Sequence, residues 1–247
     1  MERKKRGYKR LVEKKRDYRL FAIACEGSVR ERDYFECFEV LSSRISVDLI
    51  ADVDEEGNVV VTHNSSPEHV LQRAQIYADN TDLVDGDQMW IVVDVDRWPN
   101  EHLSVLAQEC HSRGWNLAVS NPCFEVWLCY HMEDDIPDGG EVKDSAYFKN
   151  HLSLLTIEGY SPEVYSPLAF KAMNVARVKD GNPALRIPPY KVTQVYRLME
   201  QMEQFTSIEE MKAFIAKGEN NSKKIMLTQV SKSELERRRV SVYQYLL

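Results

Sequence analysis

Two uninterrupted apolar runs constrain this chain most, because each stops at an acid. Leu20-Phe21-Ala22-Ile23-Ala24-Cys25 ends at Glu26-Gly27, and Met89-Trp90-Ile91-Val92-Val93 ends at Asp94-Val95-Asp96. Continuous runs of this length read as strands buried on both faces, as in parallel sheets. In such sheets ligands and chemistry collect outside the carboxyl ends of the strands. If the two strands are neighbours, Glu26, Asp94 and Asp96 meet in one crevice. Three acids there repel one another unless a divalent cation holds them, so a magnesium site is the first hypothesis.

Strand and helix signals alternate around these runs. Strand one is Leu20 to Cys25, and Ser28-Val29-Arg30-Glu31 reads as a capping box for a helix with Tyr34, Phe38, Leu41 and Ile45 on one face. A second strand runs from about Ser46 to Val53, and Glu55-Glu56-Gly57-Asn58 suggests a short hairpin into Val59-Val60-Val61. Ser66-Pro67 opens a helix with Val70, Leu71, Ala74 and Ala78 inward. Strand three is Met89 to Asp94. A helix from about Glu101 carries Leu103, Leu106 and Cys110 and stops at Gly114. Strand four is Asn116 to Ser120, after which Asn121-Pro122 caps a helix bearing Phe124, Trp127, Leu128 and His131.

This order predicts an α/β fold: a mostly parallel four-stranded sheet with helices on both faces. Residues 133–144 are acidic and loop-like, and no strong strand follows. Helices are expected at Ala146 to Leu155, Leu168 to Val178, Thr193 to Phe205 and Ile208 to Lys217, the last with a Ser207-to-Glu210 capping box. The expected organisation is a basic arm over 1–19, an α/β core over 20–132 and a helical C-terminal extension over 133–247 packed on the core.

Charge is unevenly placed. The chain of 247 residues has a net charge of −7, yet residues 1–19 hold ten Lys or Arg against three acids, leaving −14 on the remainder. The arm reads equally as a grip on phosphate or as a solvated terminus. No stretch is long and apolar enough for a membrane span, and no secretory signal is expected, so the protein reads as cytoplasmic. None of the five cysteines forms a C-x-x-C pair; they read as small core residues of a reducing compartment, not as disulfides or zinc ligands.

Magnesium takes oxygen ligands and needs only one or two carboxylates. Residues two apart on a strand share a face, so Asp94 and Asp96 can address one ion. Glu26 can hold that ion, hold a second one, or act as general acid or base on a phosphodiester. Gly27 permits a tight turn beside it. Asp52-Val53-Asp54 is a second D-x-D, read as an edge-strand turn. Asn121 at the helix start faces the same crevice and suits an anion; Arg30, Arg32 and Arg97 serve as phosphate contacts or as countercharge. Glu31 and Glu125 are accessory acids, Glu125 reading first as a structural acid near a helix start. His131 reads as a satisfied core histidine.

Three blocks resemble the RloB-like family, a branch of the Toprim-fold proteins. They are Glu26-Gly27-Ser28-Val29-Arg30-Glu31-Arg32-Asp33-Tyr34-Phe35, similar to E-G-x-x-T-E-x-x-Y-F; Asp94-Val95-Asp96; and Ser120-Asn121-Pro122-Cys123-Phe124-Glu125-Val126-Trp127 followed by His131. Thr193 to Leu198 is a weaker match. Arg30 stands where the pattern has Thr, which removes a hydroxyl and adds a cation. The resemblance implies a Toprim fold and Mg2+ (or Mn2+) organised by a strand-end Glu and a D-x-D for phosphodiester hydrolysis. It also implies a role in antiphage defence beside an AAA-type ATPase partner. Nucleic acid, DNA or RNA, is the expected substrate, and a homodimer is compatible with the pattern. Two other functions stay open: a non-catalytic nucleic-acid-binding subunit of such a complex, and phosphoryl transfer on a small molecule.

Overall fold

The structure, a computed structural model, describes residues 17–27, 29–53, 59–60, 66–96, 98–137, 144–156 and 159–227. The basic arm to residue 16, Ser28, Asp54 and Arg97 lie outside this set, so the phosphate reading of the arm and of Arg97 is not addressed by it.

Five strands form the main sheet: β1 (Arg19–Cys25), β2 (Ile45–Leu49), β5 (Gln88–Asp94), β6 (Asn116–Asn121) and β7 (Val192–Thr193), in the order β2-β1-β5-β6-β7. The first four are parallel, and β7 runs antiparallel to β6. A small hairpin of β3 (Asp52–Val53) and β4 (Val59–Val60) stands beside it. The expected sheet of four strands therefore becomes five. The fifth is a two-residue strand, too short to carry an alternating pattern, placed where helix was expected from Thr193. Lys191 precedes it in the left-handed region at φ 63°. Three hydrogen bonds hold that residue: its amide donates to the Asn121 carbonyl (2.8 Å), its ammonium to the Ile136 carbonyl (2.7 Å), and its own carbonyl accepts from the Tyr130 hydroxyl (2.6 Å).

Alternation along the strands divides the interior in two. Ala22, Ala24, Met89, Ile91, Val93 and Val119 face one side, where α2 (Pro67–Asn80) and α3 (Asn100–Arg113) bring Val70, Ala74, Leu103 and Leu106. Phe21, Ile23, Cys25, Trp90, Val92 and Ala118 face the other, under α1 (Arg30–Glu36) and α4 (Glu125–Met132). That second layer continues through α5 (Ser145–Leu155), the short α6 (Pro162–Tyr165), α7 (Ala169–Lys179), α8 (Val195–Glu203) and α9 (Ile208–Leu227), which share one apolar cluster with it. No helix among the described residues is long and apolar enough to cross a membrane.

Local signals account for most element ends. Ser66 Oγ accepts from the His69 amide with Pro67 in the first turn of α2, and Gly114 ends α3 at φ 69°. Ser207 and Glu210 complete a reciprocal box at α9: the Glu210 amide donates to Ser207 Oγ (3.2 Å), and the Ser207 amide donates to the Glu210 carboxylate (2.8 Å). The capping box expected of α1 rests on Ser28, which lies outside the described residues; Val29 holds the N-cap position. One expected cap differs: Asn121 does not cap α4. It ends β6, is followed by a cis peptide to Pro122, and the helix begins at Glu125 behind Phe124.

All five cysteines are free, and four of them are buried. His131 is buried beside Tyr34, Trp127 and Tyr165. Its Nδ1 faces the Trp127 carbonyl at 2.9 Å, which can only accept; Nδ1 therefore carries the proton, and Nε2 accepts from the Tyr34 hydroxyl at 2.9 Å. Burial pushes its pKa down to about 3, so the ring is a neutral strut of the core.

Candidate functional site

β1 and β5 are adjacent, with Cys25 level with Val92, and the Glu26 amide extends the ladder to the Val92 carbonyl at 2.8 Å. That register brings the acids to one edge of the sheet. Glu26 Oε2 accepts from the Asp94 amide at 3.0 Å, and Oε1 accepts from the Trp98 indole N–H at 3.0 Å. The side chain thus lies across the end of β5 rather than in the apolar interior.

The D-x-D is held from the β6 side. The Val95 amide donates to the carbonyls of Ser120 (3.0 Å) and Pro122 (3.1 Å), and the Asp96 amide to that of Pro122 (3.0 Å). Asp94 is the last residue of β5, whereas Asp96 sits in the turn beyond it and is exposed. Their proximity therefore comes from this pinned turn, not from the strand alternation expected of residues two apart.

Two further acids face the same edge. Glu31, from the first turn of α1, folds its carboxylate over Gly27, where any Cβ would overlap it. A side chain at Gly27 would oblige the Glu31 carboxylate to move aside. Burial, then the negative charges of Glu125 and Glu26, push the Glu31 pKa up to about 7, against its own backbone N–H and Arg30. Glu125 is buried in the first turn of α4 and ion-paired to Arg30. Asp94 is raised well above its ordinary value by burial, then by Glu31, Glu26, Glu125 and Asp96. Five carboxylates, from just past β1 and from α1, β5, the turn after it and α4, therefore feel one another. Glu31 and Glu125, expected as accessories, stand level with the expected trio.

The expected phosphate contacts have other partners. Arg30 is ion-paired with Glu125, and its guanidinium stands 5.6 Å from the Tyr160 ring. Arg32 donates to the Ile50 carbonyl (3.2 Å) and Asn121 Nδ2 to the Pro188 carbonyl (2.8 Å). The earlier D-x-D is occupied too, since Asp52 pairs with Arg73 at 3.2 Å. Arg73 also donates to the Cys25 carbonyl at the end of β1. It went unnoticed in the sequence, although it lies beside Val70 and Ala74 on the inward stripe of α2. Trp98, the indole that orients Glu26, was missed as well; its signal is an aromatic two residues past the D-x-D.

Oxygen donors alone suit a hard divalent cation such as Mg2+ or Mn2+. The pKa values of Glu31 and Asp94 are shifted upward by burial and by their acidic neighbours, so a cation bound there would compete with protons. The ring is nevertheless open. Among the described residues, the one group of three metal-ligating side chains whose donor atoms all lie within 4.8 Å of one another is elsewhere: Cys129, Glu133 and His151. No three of the five carboxylates meet that spacing, and their repulsion shows in the raised pKa values of Glu31 and Asp94.

No curated protein and no solved structure matches the chain. A family model described as RloB-like protein matches residues 21–202, from β1 into α8, a span that includes all five carboxylates. On that match, which covers well over half of its length, the chain belongs to the RloB-like protein family.

Proposed function

We propose that this protein is a Toprim-type nuclease that hydrolyses phosphodiesters with Mg2+ (or Mn2+) and acts in antiphage defence. One observation carries the reading: Glu26, just past β1, reaches the Asp94 amide of β5, so acids 68 residues apart share an edge with Asp96, Glu31 and Glu125. A bound divalent cation would polarise the phosphate and lower the pKa of a bound water.

Asp94 and Asp96, presented by a turn anchored to Ser120 and Pro122, are the residues to hold it. Glu26 is oriented by the Asp94 amide and the Trp98 indole at the edge where the ion or its water would sit. Glu31 lies over Gly27, within the field of Glu26, and with its pKa raised to about 7 it can exchange a proton near neutral pH. Arg30 neutralises Glu125 and limits the total repulsion. The substrate in this reading is DNA or RNA in the cytoplasm, with an AAA-type ATPase as partner.

Cleavage of DNA and RNA by the full chain with Mg2+ or Mn2+, compared with Glu26→Gln and Asp94→Asn, tests it. Loss of cleavage by at least ~100-fold in both variants is expected; undiminished cleavage in either removes the acid ring from the chemistry. The open ring favours a second reading, a non-catalytic nucleic-acid-binding subunit of the ATPase complex. It predicts salt-sensitive binding of nucleic acid without cleavage by any form of the protein.

A further inference from the structure

The N-terminal turn of α4 belongs to the acid ring, but its C-terminal turn carries different donors. Cys129 lies in the last turn and Glu133 is the extended residue that caps it, and their donor atoms come within 4.8 Å of each other. His151 comes across from α5, and its Nε2 makes a close hydrogen bond with a Glu133 carboxylate oxygen. The imidazole lies nearly parallel to the Tyr147 ring, at 11° and 5.8 Å. Tyr147 is itself fixed, its hydroxyl donating to the Pro137 carbonyl (2.8 Å) and its amide to the capping Asp144 (3.0 Å). The histidine is therefore aimed. Cys129 is fully buried, while the Glu133 and His151 side chains keep 23% and 15% of their exposure, so the cluster sits just beneath the surface.

We propose that Cys129, Glu133 and His151 form a site for a borderline-soft divalent cation, zinc first, bound by thiolate, carboxylate and imidazole with a fourth position open to water. Sulfur, nitrogen and oxygen are the three donor types that zinc accepts, whereas magnesium has no preference for a thiol or an imidazole. Tetrahedral zinc at its usual bond lengths spaces donors roughly 3.3–3.6 Å apart. All three donor atoms lie within 4.8 Å of one another, so closing the site takes about 1 Å of side-chain movement. Binding replaces the thiol proton, which leaves to solvent, with a metal–sulfur bond. A simple His151–Glu133 ion pair would need no sulfur, so the thiol separates the two accounts.

The full-length protein, stripped by chelator, is titrated with Co2+ and then with Zn2+. A thiolate-to-cobalt charge-transfer band saturating at one equivalent, and abolished by zinc, is expected. Asp94→Asn should retain the band, and Cys129→Ser should lose it. His151→Gln, at a half-buried position that spares the core, should weaken zinc binding by more than ~100-fold, beyond the loss of an outer hydrogen bond; circular dichroism verifies that each variant is folded. Absence of the band in the wild-type chain overturns the assignment, as does wild-type affinity in His151→Gln. Loss of the band in folded Asp94→Asn overturns it too, by moving the ion to the acid ring. If Cys129→Ser does not fold, the wild-type band and His151→Gln decide.

Discussion

The two ends of α4, about 12 Å apart along eight residues, differ in what they present. Its first turn gives Glu125 to a ring of five carboxylates; its last gives Cys129 and Glu133 to a cluster with His151. The first set is all oxygen, strongly negative and open. The second is mixed, holds an internal imidazole–carboxylate pair and is compact. The acids of the first raise one another's pKa values, whereas a hydrogen bond gathers the second. The lesson is that strong electrostatic coupling between acids does not by itself preform a cage, whereas a modest cluster with one complementary pair comes close to one.

Asp94→Asn separates the ends most sharply. Phosphodiester cleavage should fall at least ~100-fold while cobalt spectra at Cys129 stay unchanged, and nuclease assay with absorption titration reads both. Equal loss at both ends would mean that they act as one site.

Trp127→Ala attacks the middle they share. Trp127 is fully buried between the ends, packed on Tyr34 and His131. Truncation should cost about 3–5 kcal/mol and weaken both functions together in denaturant melts and metal titrations. Damage confined to one end would show that the helix does not couple them.

Protons should distinguish the ends next. The Glu31 pKa is raised from 4.5 to about 7, so between those values the folded chain holds a proton that the unfolded chain has released. Stability of the metal-free protein should accordingly fall as pH rises from about 4.5 to 7, by on the order of 3 kcal/mol from this group. Thermal melts in chelator measure it. Added Mg2+ should recover the loss near pH 7 and Glu31→Gln should flatten the slope; a slope unaltered by that substitution would remove Glu31 from the ring.

The smallest effect is the control. Ser207→Ala removes the cap of α9 and should cost about 1 kcal/mol without altering either end of α4, as melts beside both metal titrations would show. A change in either titration would mean that α9 couples to the sites.

Much of the acid ring was legible in the chain itself. Glu26 and Asp94 stand where buried strands must stop, and the helix starts at Ser66 and Ser207 and the stop at Gly114 announce themselves through caps. Asn121 misled, because the residues that make a good cap also end a strand before a cis proline. β7 was invisible because two residues carry no period.

Buried periodicity and capping act within a few residues, so the amino-acid order alone determined the parallel strands, the helices around them and the acids at their ends. What only the tertiary structure decided is which distant groups touch: Trp98 on Glu26, Arg73 on the Cys25 carbonyl, Glu31 over Gly27, and His151 beside Glu133. Most of these contacts join separate elements, and all depend on how the chain packs or turns back on itself. No pattern local to either partner encodes them, because the energy of such a contact exists only once the sheet and its helices have brought both partners to the same place.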